Sequence, residues 1–366
     1  DIMKEIKSIS WDVINDYIKE GLLIKNKHPI YDIWILNYSQ TCQFDKKWDD
    51  VTLLSRGLVV DGDGNIVARC FPKFFNYEEL INDPKLGEIP YGESFEVYEK
   101  VDGSLIIMFY YNNEWIFASR GSFISEQAMK AKEIFNEKYN FLISGFEKTK
   151  TYLFEVLYKE NRIVVNYGDD ERLVLLGIIH TDTGQETSLK DLAELDFNYY
   201  GKSFIVKQYH GICDISEIRE KLENDSDEGV VVRFSSGFRM KVKWKEYCRL
   251  HKIVTNISSK DIWEYLRTGK SIAPLLEKVP DEFFEWVQTI ISNLNEEYNY
   301  IELQSLKIFW KIYVCDANTM RKDFALEAKE SKYSGILFKM YEGKEYSDLI
   351  WKMIKPEYKQ PFKSEK

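Results

Sequence analysis

Across 366 residues no stretch of apolar side chains is long enough to cross a bilayer, which takes about 18–20 residues. The longest, Leu173 to Ile179, suits a buried strand, so no membrane partner is expected. Net positive charge is also missing. Sixty Asp and Glu against 50 Lys and Arg leave the chain at −10. That argues against a protein that coats phosphate by bulk charge, but it leaves room for a local basic cleft on an acidic body. Cysteine is sparse. The five, at 42, 70, 213, 248 and 315, are odd in number, widely spread and form no Cys-x-x-Cys. Reduced thiols in a cytoplasmic protein are expected, rather than a disulfide framework. The four histidines, at 28, 180, 210 and 251, show no metal-ligand spacing. Asp1-Ile2-Met3-Lys4-Glu5 has no apolar core resembling a signal peptide. There is no internal repeat and no low-complexity segment.

What is present is a hydrophobic content of 44% with 15% aromatics, enough for a substantial core. The length fits one large domain or two of ordinary size. Up to about residue 252 the chain reads as short strands with turn signals. Asp61-Gly62-Asp63-Gly64 between Leu58-Val59-Val60 and Ile66-Val67-Ala68 spells a hairpin. Ser104–Tyr111 and Trp115–Ser119 flank a second turn at Asn112-Asn113-Glu114. Tyr152–Tyr158, Leu173–Ile179, Val230–Phe234 and Phe238–Trp244 are further strands, and helices are expected over Asp12–Leu23 and Ser125–Tyr139. Beyond that point the pattern turns helical. Ser258-Ser259-Lys260-Asp261 resembles a helix start. Phe283, Val287, Ile290, Ile291 and Leu294 keep a helical period behind Pro280 and Asp281. Lys355 to Pro361 reads as a loose tail. The expected architecture is α+β, with a domain over 1–252 followed by an all-α domain over 253–366.

The most informative run is Lys100-Val101-Asp102-Gly103-Ser104. A lysine amine can attack phosphorus once it has lost its proton, which calls for a partly desolvated site with other cations nearby. The hairpin Val230–Phe234/Phe238–Trp244 supplies such cations. Its turn Ser235-Ser236-Gly237 sets Phe234 opposite Phe238, so Gly229 lies near Lys243 and Glu228 one step beyond. Strand alternation puts Arg239, Lys241, Lys243 and Lys245 on one face; by itself such a stripe is more often a solvated strand face. Glu155 alternates with Leu153 and Leu157, and a carboxylate between leucines is costly without a partner. Ser55-Arg56-Gly57 and Ser119-Arg120-Gly121-Ser122 each put an arginine beside a glycine at a strand end, where guanidinium and backbone can both approach phosphate.

Taken in order, Lys100-Val101-Asp102-Gly103-Ser104, Phe154-Glu155, Glu228-Gly229 and Lys241-Val242-Lys243 resemble motifs I, III, IV and V of covalent nucleotidyltransferases. The likeness is to the RNA ligase 1 family of the T-even bacteriophages. It extends through Asn37-Tyr38, Arg56-Gly57, Lys73-Phe74-Phe75-Asn76, Ser122 to Ala128, Asn161-Arg162-Ile163-Val164 and Arg321 to Ala328, and so covers essentially the whole chain.

The resemblance implies a nucleotidyltransferase domain of antiparallel sheets with flanking helices, and a helical C-terminal domain concerned with the RNA substrate. It implies ATP-dependent joining of RNA 5′-phosphate and 3′-hydroxyl ends in RNA or tRNA repair, through lysyl-AMP on Lys100 and an RNA-adenylate. Arg56 would assist the phosphate chemistry and Lys73 would contact the triphosphate, with Phe75 packing nearby. Gly103 would let the backbone approach the nucleotide. Glu155 would serve the ribose and, with Glu228, the metal, Mg²⁺ or Mn²⁺; Lys241 and Lys243 would steady the α-phosphate and the leaving group. A nicked tRNA is the implied RNA partner, and the expected state is a monomer in the host cytoplasm. Two departures stand out. Arg120 replaces the family's lysine, keeping charge but not a proton-transfer role. Leu36 replaces a tyrosine. A GTP-using capping guanylyltransferase and a catalytically silent RNA-end-binding protein are the alternatives. Ser104-Leu105-Ile106 after Gly103 disfavours the first, and the intact set of Lys100, Glu155, Glu228, Lys241 and Lys243 disfavours the second.

Overall fold

A computed structural model describes residues 5–189, 198–199, 202–248, 251, 257–276, 284–314 and 321–356. Cys315, Pro280, Asp281, Phe283, the expected boundary at 252 and the tail beyond 356 lie outside them. The chain divides into two compact units, Asp1–Val254 and Thr255–Lys366.

The first unit is built on three main sheets. One is the antiparallel β1 (Leu23–Lys27), β2 (Ile33–Tyr38), β3 (Arg56–Asp61) and β4 (Ile66–Ala68), in that order. The chain then makes the short β5 (Phe75–Asn76) and β6 (Phe95–Glu99). Next come β7 (Ser104–Tyr111), β8 (Glu114–Ser119), β9 (Lys150–Leu157), β10 (Arg172–His180) and β11 (Glu186–Thr187), which form the central sheet in the order β11-β10-β9-β7-β8. A two-residue pair, β12 (Asn198–Tyr199) and β13 (Lys202–Ser203), precedes β14 (Gln208–Tyr209), β15 (Gly229–Phe234) and β16 (Arg239–Lys243). The third sheet runs β14-β6-β15-β16-β5. Its β16·β5 pair is parallel, so this sheet is mixed where antiparallel order was expected. β5 arrives from far upstream in the chain rather than through a hairpin, and nothing local fixes its direction.

Lys100 follows β6 of the third sheet and Ser104 opens β7 of the central one. The Lys-x-Asp-Gly run is therefore the crossover between two sheets. Tyr98, Val101, Leu157, Val174 and Val206 form an apolar cluster at this crossover. The first and central sheets share the layer of Ile35, Val59, Ile107, Phe109 and Leu153. The other face of the central sheet is covered by the helix Glu126–Ile134, through Ala131 and Ile134.

The expected helix over Asp12–Leu23 is shorter, Trp11–Lys19. Gly21 adopts a left-handed φ of 73°, which ends the helix and lets Leu23 start β1. The expected Ser125–Tyr139 helix is capped by Ser125, whose Oγ accepts from Ala128 N at 3.2 Å, and widens into a π-turn from Phe135 to Tyr139.

One polar contact ties the central and third sheets together away from the crossover. Glu186 on β11 accepts from Arg239 on β16 and from Arg233 on β15, the latter at 2.9 Å. Arg239 also lies 4.0 Å over the Phe71 ring. Burial pushes the Glu186 carboxyl up, but Arg239 and Arg233 outweigh it and hold it down at about 2. A carboxylate depressed in the fold stabilises it above the unfolded pKa and loses that effect as pH falls through the folded one. Glu186→Gln is expected to cost about 3 kcal/mol in urea unfolding at pH 7. The difference from wild type should shrink toward zero near pH 2; a pH-independent difference would contradict the assignment.

The second unit is helical. Ser258 caps the helix Ser259–Arg267 through a reciprocal box with Asp261, Ser258 N donating to Asp261 Oδ2 at 2.8 Å. The 31-residue helix Phe284–Val314 is the spine on which Arg321–Lys329, Ser334–Tyr341 and Ser347–Met353 pack. Phe324, Ala328, Leu337 and Ile312 form one of its cores.

Candidate active site

The register of the last hairpin places Gly229 opposite Lys243 and Val231 opposite Lys241. Gly229 takes a φ of 149°, and a Cβ there would stand 2.1 Å from Val242 O, so only glycine lets Glu228 turn in at the strand mouth. Glu228 is 3% exposed. Its Oε1 accepts from Lys100 Nζ at 2.7 Å and from Lys243 Nζ at 3.1 Å, side chains that are 22% and 10% exposed. Lys100 N donates to Gly229 O at 2.9 Å, which fixes the crossover against the hairpin. Two ammoniums therefore share one carboxylate oxygen in a largely desolvated crevice. The lysine stripe of β16 is not a solvated face: Lys241 is buried, and β16 borders Asn76 of β5 at that position.

Glu155 lies on β9 opposite Leu105 of β7, and its Oε1 accepts from Gly103 N at 3.1 Å. A Cβ on Gly103 would come within 2.5 Å of Val156 O, which explains the glycine. Burial raises the Glu155 carboxyl to about 8; Lys100 opposes that rise, and the nearby charge of Glu228 adds to it. The sign of the stability effect follows. The folded state keeps this proton to higher pH than the unfolded chain, so ionisation penalises the fold as pH climbs from about 4.5 toward 8. With chelator present, Glu155→Gln is expected to melt progressively higher than wild type between pH 5 and pH 8. Parallel melting curves across that range would refute the burial of this carboxyl.

Asp102 is a residue whose part the sequence did not disclose. It is buried. Its Oδ2 accepts from Val164 N and Val165 N at 2.9 and 2.8 Å, and its Oδ1 from Tyr247 OH at 2.7 Å. Its own N–H donates to Tyr167 OH at 3.0 Å. Beside it, Asn161 Nδ2 donates to Ser104 Oγ at 2.9 Å. The segment after Glu155 is thus latched onto the loop that carries Lys100. The motif spelling named Asp102, but its partners are 62 to 145 residues away.

Arg56, Lys73, Phe75 and Arg120 form a second group. Lys73 is buried with its Nζ 5.4 Å from the ring centres of Tyr38, Trp48 and Phe75. Arg120 lies over the same Tyr38 ring at 5.6 Å and donates to its hydroxyl at 3.4 Å. Tyr38 thus stands between two cations, a part that its place in the sequence did not announce. Leu36 is buried in the core with Leu58 and Val60, so the phenol near Arg120 belongs to Tyr38. Arg56, which opens β3 opposite Asn37, donates through Nη1 to Cys70 Sγ at 3.2 Å and to Phe71 O at 3.3 Å, and faces the Phe74 ring. Among the described residues, Cys42, Cys70, Cys213 and Cys248 form no disulfide.

Among the described residues no three His, Cys, Asp or Glu side chains gather as a metal cage. At the crevice the Asp102 carboxylate is taken up by Val164 N, Val165 N and Tyr247 OH, which leaves Glu155 and Glu228, whose negative charges would oppose each other. Two carboxylates completed by water and phosphate oxygens suit a hard divalent cation such as Mg²⁺, which would relieve that opposition. Among the described residues no helix is long and apolar enough to cross a membrane.

Comparison with known proteins bears on the same segment. A family model described as RNA ligase matches residues 54–247, more than half of the chain and all the candidate residues from Arg56 to Lys243. A protein of Autographa californica nuclear polyhedrosis virus, named as a bifunctional polynucleotide kinase/RNA ligase, is 28% identical over 250 residues. That match takes in 63% of this chain and 35% of the viral protein, so the chain spans about a third of the length of that curated relative. Among solved structures, an archaeal ATP-dependent RNA ligase has a TM-score of 0.45 at 15% identity, over 75% of this chain and 70% of that one. A Naegleria gruberi RNA ligase solved with pyrophosphate has a TM-score of 0.38 at 20% identity, over 50% of this chain and 57% of that one.

Proposed function

We propose a reaction from the premise that this chain belongs to the RNA ligase family, whose model matches more than half of its length. The reaction is ATP-dependent joining of an RNA 5′-phosphate to an RNA 3′-hydroxyl. The observation that carries it is the pair of ammoniums, Lys100 and Lys243, on the buried Glu228, with Glu155 within electrostatic reach. A binding protein has no need of a nucleophile held in this way.

In the first step the Lys100 amine, its proton given to solvent, attacks the α-phosphorus of ATP. A P–N bond forms, the bond to the bridging oxygen breaks, and pyrophosphate departs with the electron pair. Lys241 and Lys243 face the charge that develops on the α-phosphate, while Lys73, Arg56 and Arg120 meet the outgoing phosphates. In the second step an oxygen of the RNA 5′-phosphate displaces Lys100 from the α-phosphorus, and the amine recovers a proton. In the third, an RNA 3′-hydroxyl attacks the activated 5′-phosphorus, gives up its proton and expels AMP. Gly103 keeps the backbone beside Lys100 open to the nucleotide, with the Glu155 carboxyl on its N–H to receive a ribose hydroxyl. Glu228 and Glu155 would hold a divalent ion, Mg²⁺ or Mn²⁺, which supplies charge neutralisation of the phosphates.

The proposed substrate is a nicked tRNA loop, and the proposed state a monomer in the host cytoplasm; the helical second unit is the part we assign to that RNA. The test is sealing of a gel-resolved RNA with one 5′-phosphate and one 3′-hydroxyl end, supplied with Mg²⁺ and either ATP or GTP. Circular or joined product with ATP supports the proposal. Label transferred from GTP alone would favour capping, and no label from either would leave only RNA-end binding. Faster sealing of a nicked tRNA loop than of an unstructured strand would support the repair substrate; equal rates would dismiss it.

A further inference from the structure

The helix Phe284–Val314 of the second unit carries an exposed surface that, among the described residues, packs on none of that unit's apolar clusters. Val287, Leu294, Ser305 and Ile312 are its buried side. On the opposite side Tyr300, Leu303, Trp310 and Tyr313 stand open, Trp310 at 54% and Tyr313 at 47% exposure, with Lys307 and Lys311 exposed among them. At about 100° per residue Tyr300, Leu303, Lys307, Trp310 and Lys311 fall within about 100° of arc, and Tyr313 stands about 60° beyond Trp310, toward the buried side. Tyr313 is held in place. Its ring stacks on Phe309 at 5.3 Å and 14°, and Phe309 in turn meets the fully buried Phe324 at 5.8 Å. One side of the Tyr313 ring is thereby anchored to the core while the residue stays half open. From Leu303 to Val314 the sequence has two lysines and no acid, in a chain whose net charge is −10.

Open rings beside cations match a ligand with flat faces and phosphates. Unpaired bases stack on aromatic side chains regardless of sequence, and the phosphates between them seek lysines. A second copy of the chain is the poorer fit. A helix-pairing seam is built from aliphatic knobs, of which this face offers Leu303; aromatics are common at protein interfaces, but lysine is depleted there, and this face carries two.

We propose that this face binds single-stranded or looped RNA, with bases stacking on Trp310 and Tyr313 and phosphates on Lys307 and Lys311. The proposal rests on the RNA-joining reading for its substrate class, but its test does not depend on the chemistry. Fluorescence anisotropy of a labelled single-stranded RNA is measured against the full chain. Trp310→Ala/Tyr313→Ala is expected to weaken binding by roughly tenfold or more, while Trp310→Phe keeps most of it. Lys307→Ala/Lys311→Ala is expected to flatten the dependence of log affinity on log salt by about 1.4. Lys307 and Lys311 are exposed, so their double variant should melt at the wild-type temperature. Trp310→Ala/Tyr313→Ala also removes the stack on Phe309 and should melt a few degrees lower while remaining folded. Labelling of Lys100 from ATP should be unchanged in both. Wild-type RNA affinity in both double variants overturns the proposal. So does a wild-type dimer that Trp310→Ala/Tyr313→Ala converts to monomer with RNA affinity intact, which would make the face the seat of a second copy. If ATP never labels the wild-type protein while the variants still lose RNA affinity, the ligase reading falls and this one stands.

Discussion

Lys100→Ala is expected to retain no label after incubation with α-labelled ATP and denaturation, a loss on the order of 10³-fold or more relative to wild type. The structure explains why that loss should be chemical rather than a failure to fold. Glu228 keeps Lys243 at 3.1 Å when Lys100 is removed, so no buried carboxylate is stranded. The backbone bond from residue 100 to Gly229 O does not involve the side chain. Unfolding free energy should therefore change by no more than about 1 kcal/mol. A protein that still sealed pre-adenylated RNA after this substitution would separate the first step from the other two. Label retained by Lys100→Ala would end the proposed mechanism.

Glu228→Gln, unlike Lys100→Ala, should lose stability as well as activity. The substitution keeps the shape but removes the carboxylate charge that two mostly buried ammoniums share. Breaking a buried pair from one side costs about 3–5 kcal/mol; the partial exposure of Lys100, 22%, argues for the lower end. Adenylate transfer to Lys100 should fall by roughly 10²-fold or more, because the crevice loses both its acid and the anchor of Lys243. Adding Lys243→Ala to Glu228→Gln should restore part of the lost stability, since one of the two ammoniums that shared the lost carboxylate is then gone. Urea unfolding of the single and double variants measures that coupling. Strictly additive losses would mean that the shared oxygen is a contact without energetic weight.

These expectations differ in how far they could have been reached without coordinates. The pairing of Gly229 with Lys243 is the one that the turn at Ser235-Ser236-Gly237 and a two-residue alternation dictate. The hairpins at Asp61–Gly64 and Asn112–Glu114 are likewise local, and Asn112 and Asn113 take the left-handed φ that such a turn requires. The apolar spacing that predicts a helix over Asp12–Leu23 runs on through Leu22 and Leu23 because those side chains pack in the fold, but from a turn and a strand. Strand β6, directly before Lys100, buries the adjacent Val97 and Tyr98, so Phe95-Glu96-Val97-Tyr98-Glu99 gives no clean two-residue alternation. Nor does its place between β14 and β15 show in the sequence.

The sequence by itself determined the chemistry on offer: a lysine in a Lys-x-Asp-Gly setting, two carboxylates, a stripe of cations, and the short-range geometry of each hairpin. Turn composition and side-chain alternation act over a few residues and need no distant partner. Only the tertiary structure decided which charges meet. The docking of separate sheets brought Lys100 to Glu228, Asp102 to Tyr247 across 145 residues, and Arg239 to Glu186 across 53. Contacts of that kind are fixed by how apolar layers such as Tyr98, Val101, Leu157 and Val174 pack, and packing between distant segments leaves no local signature in the order of residues.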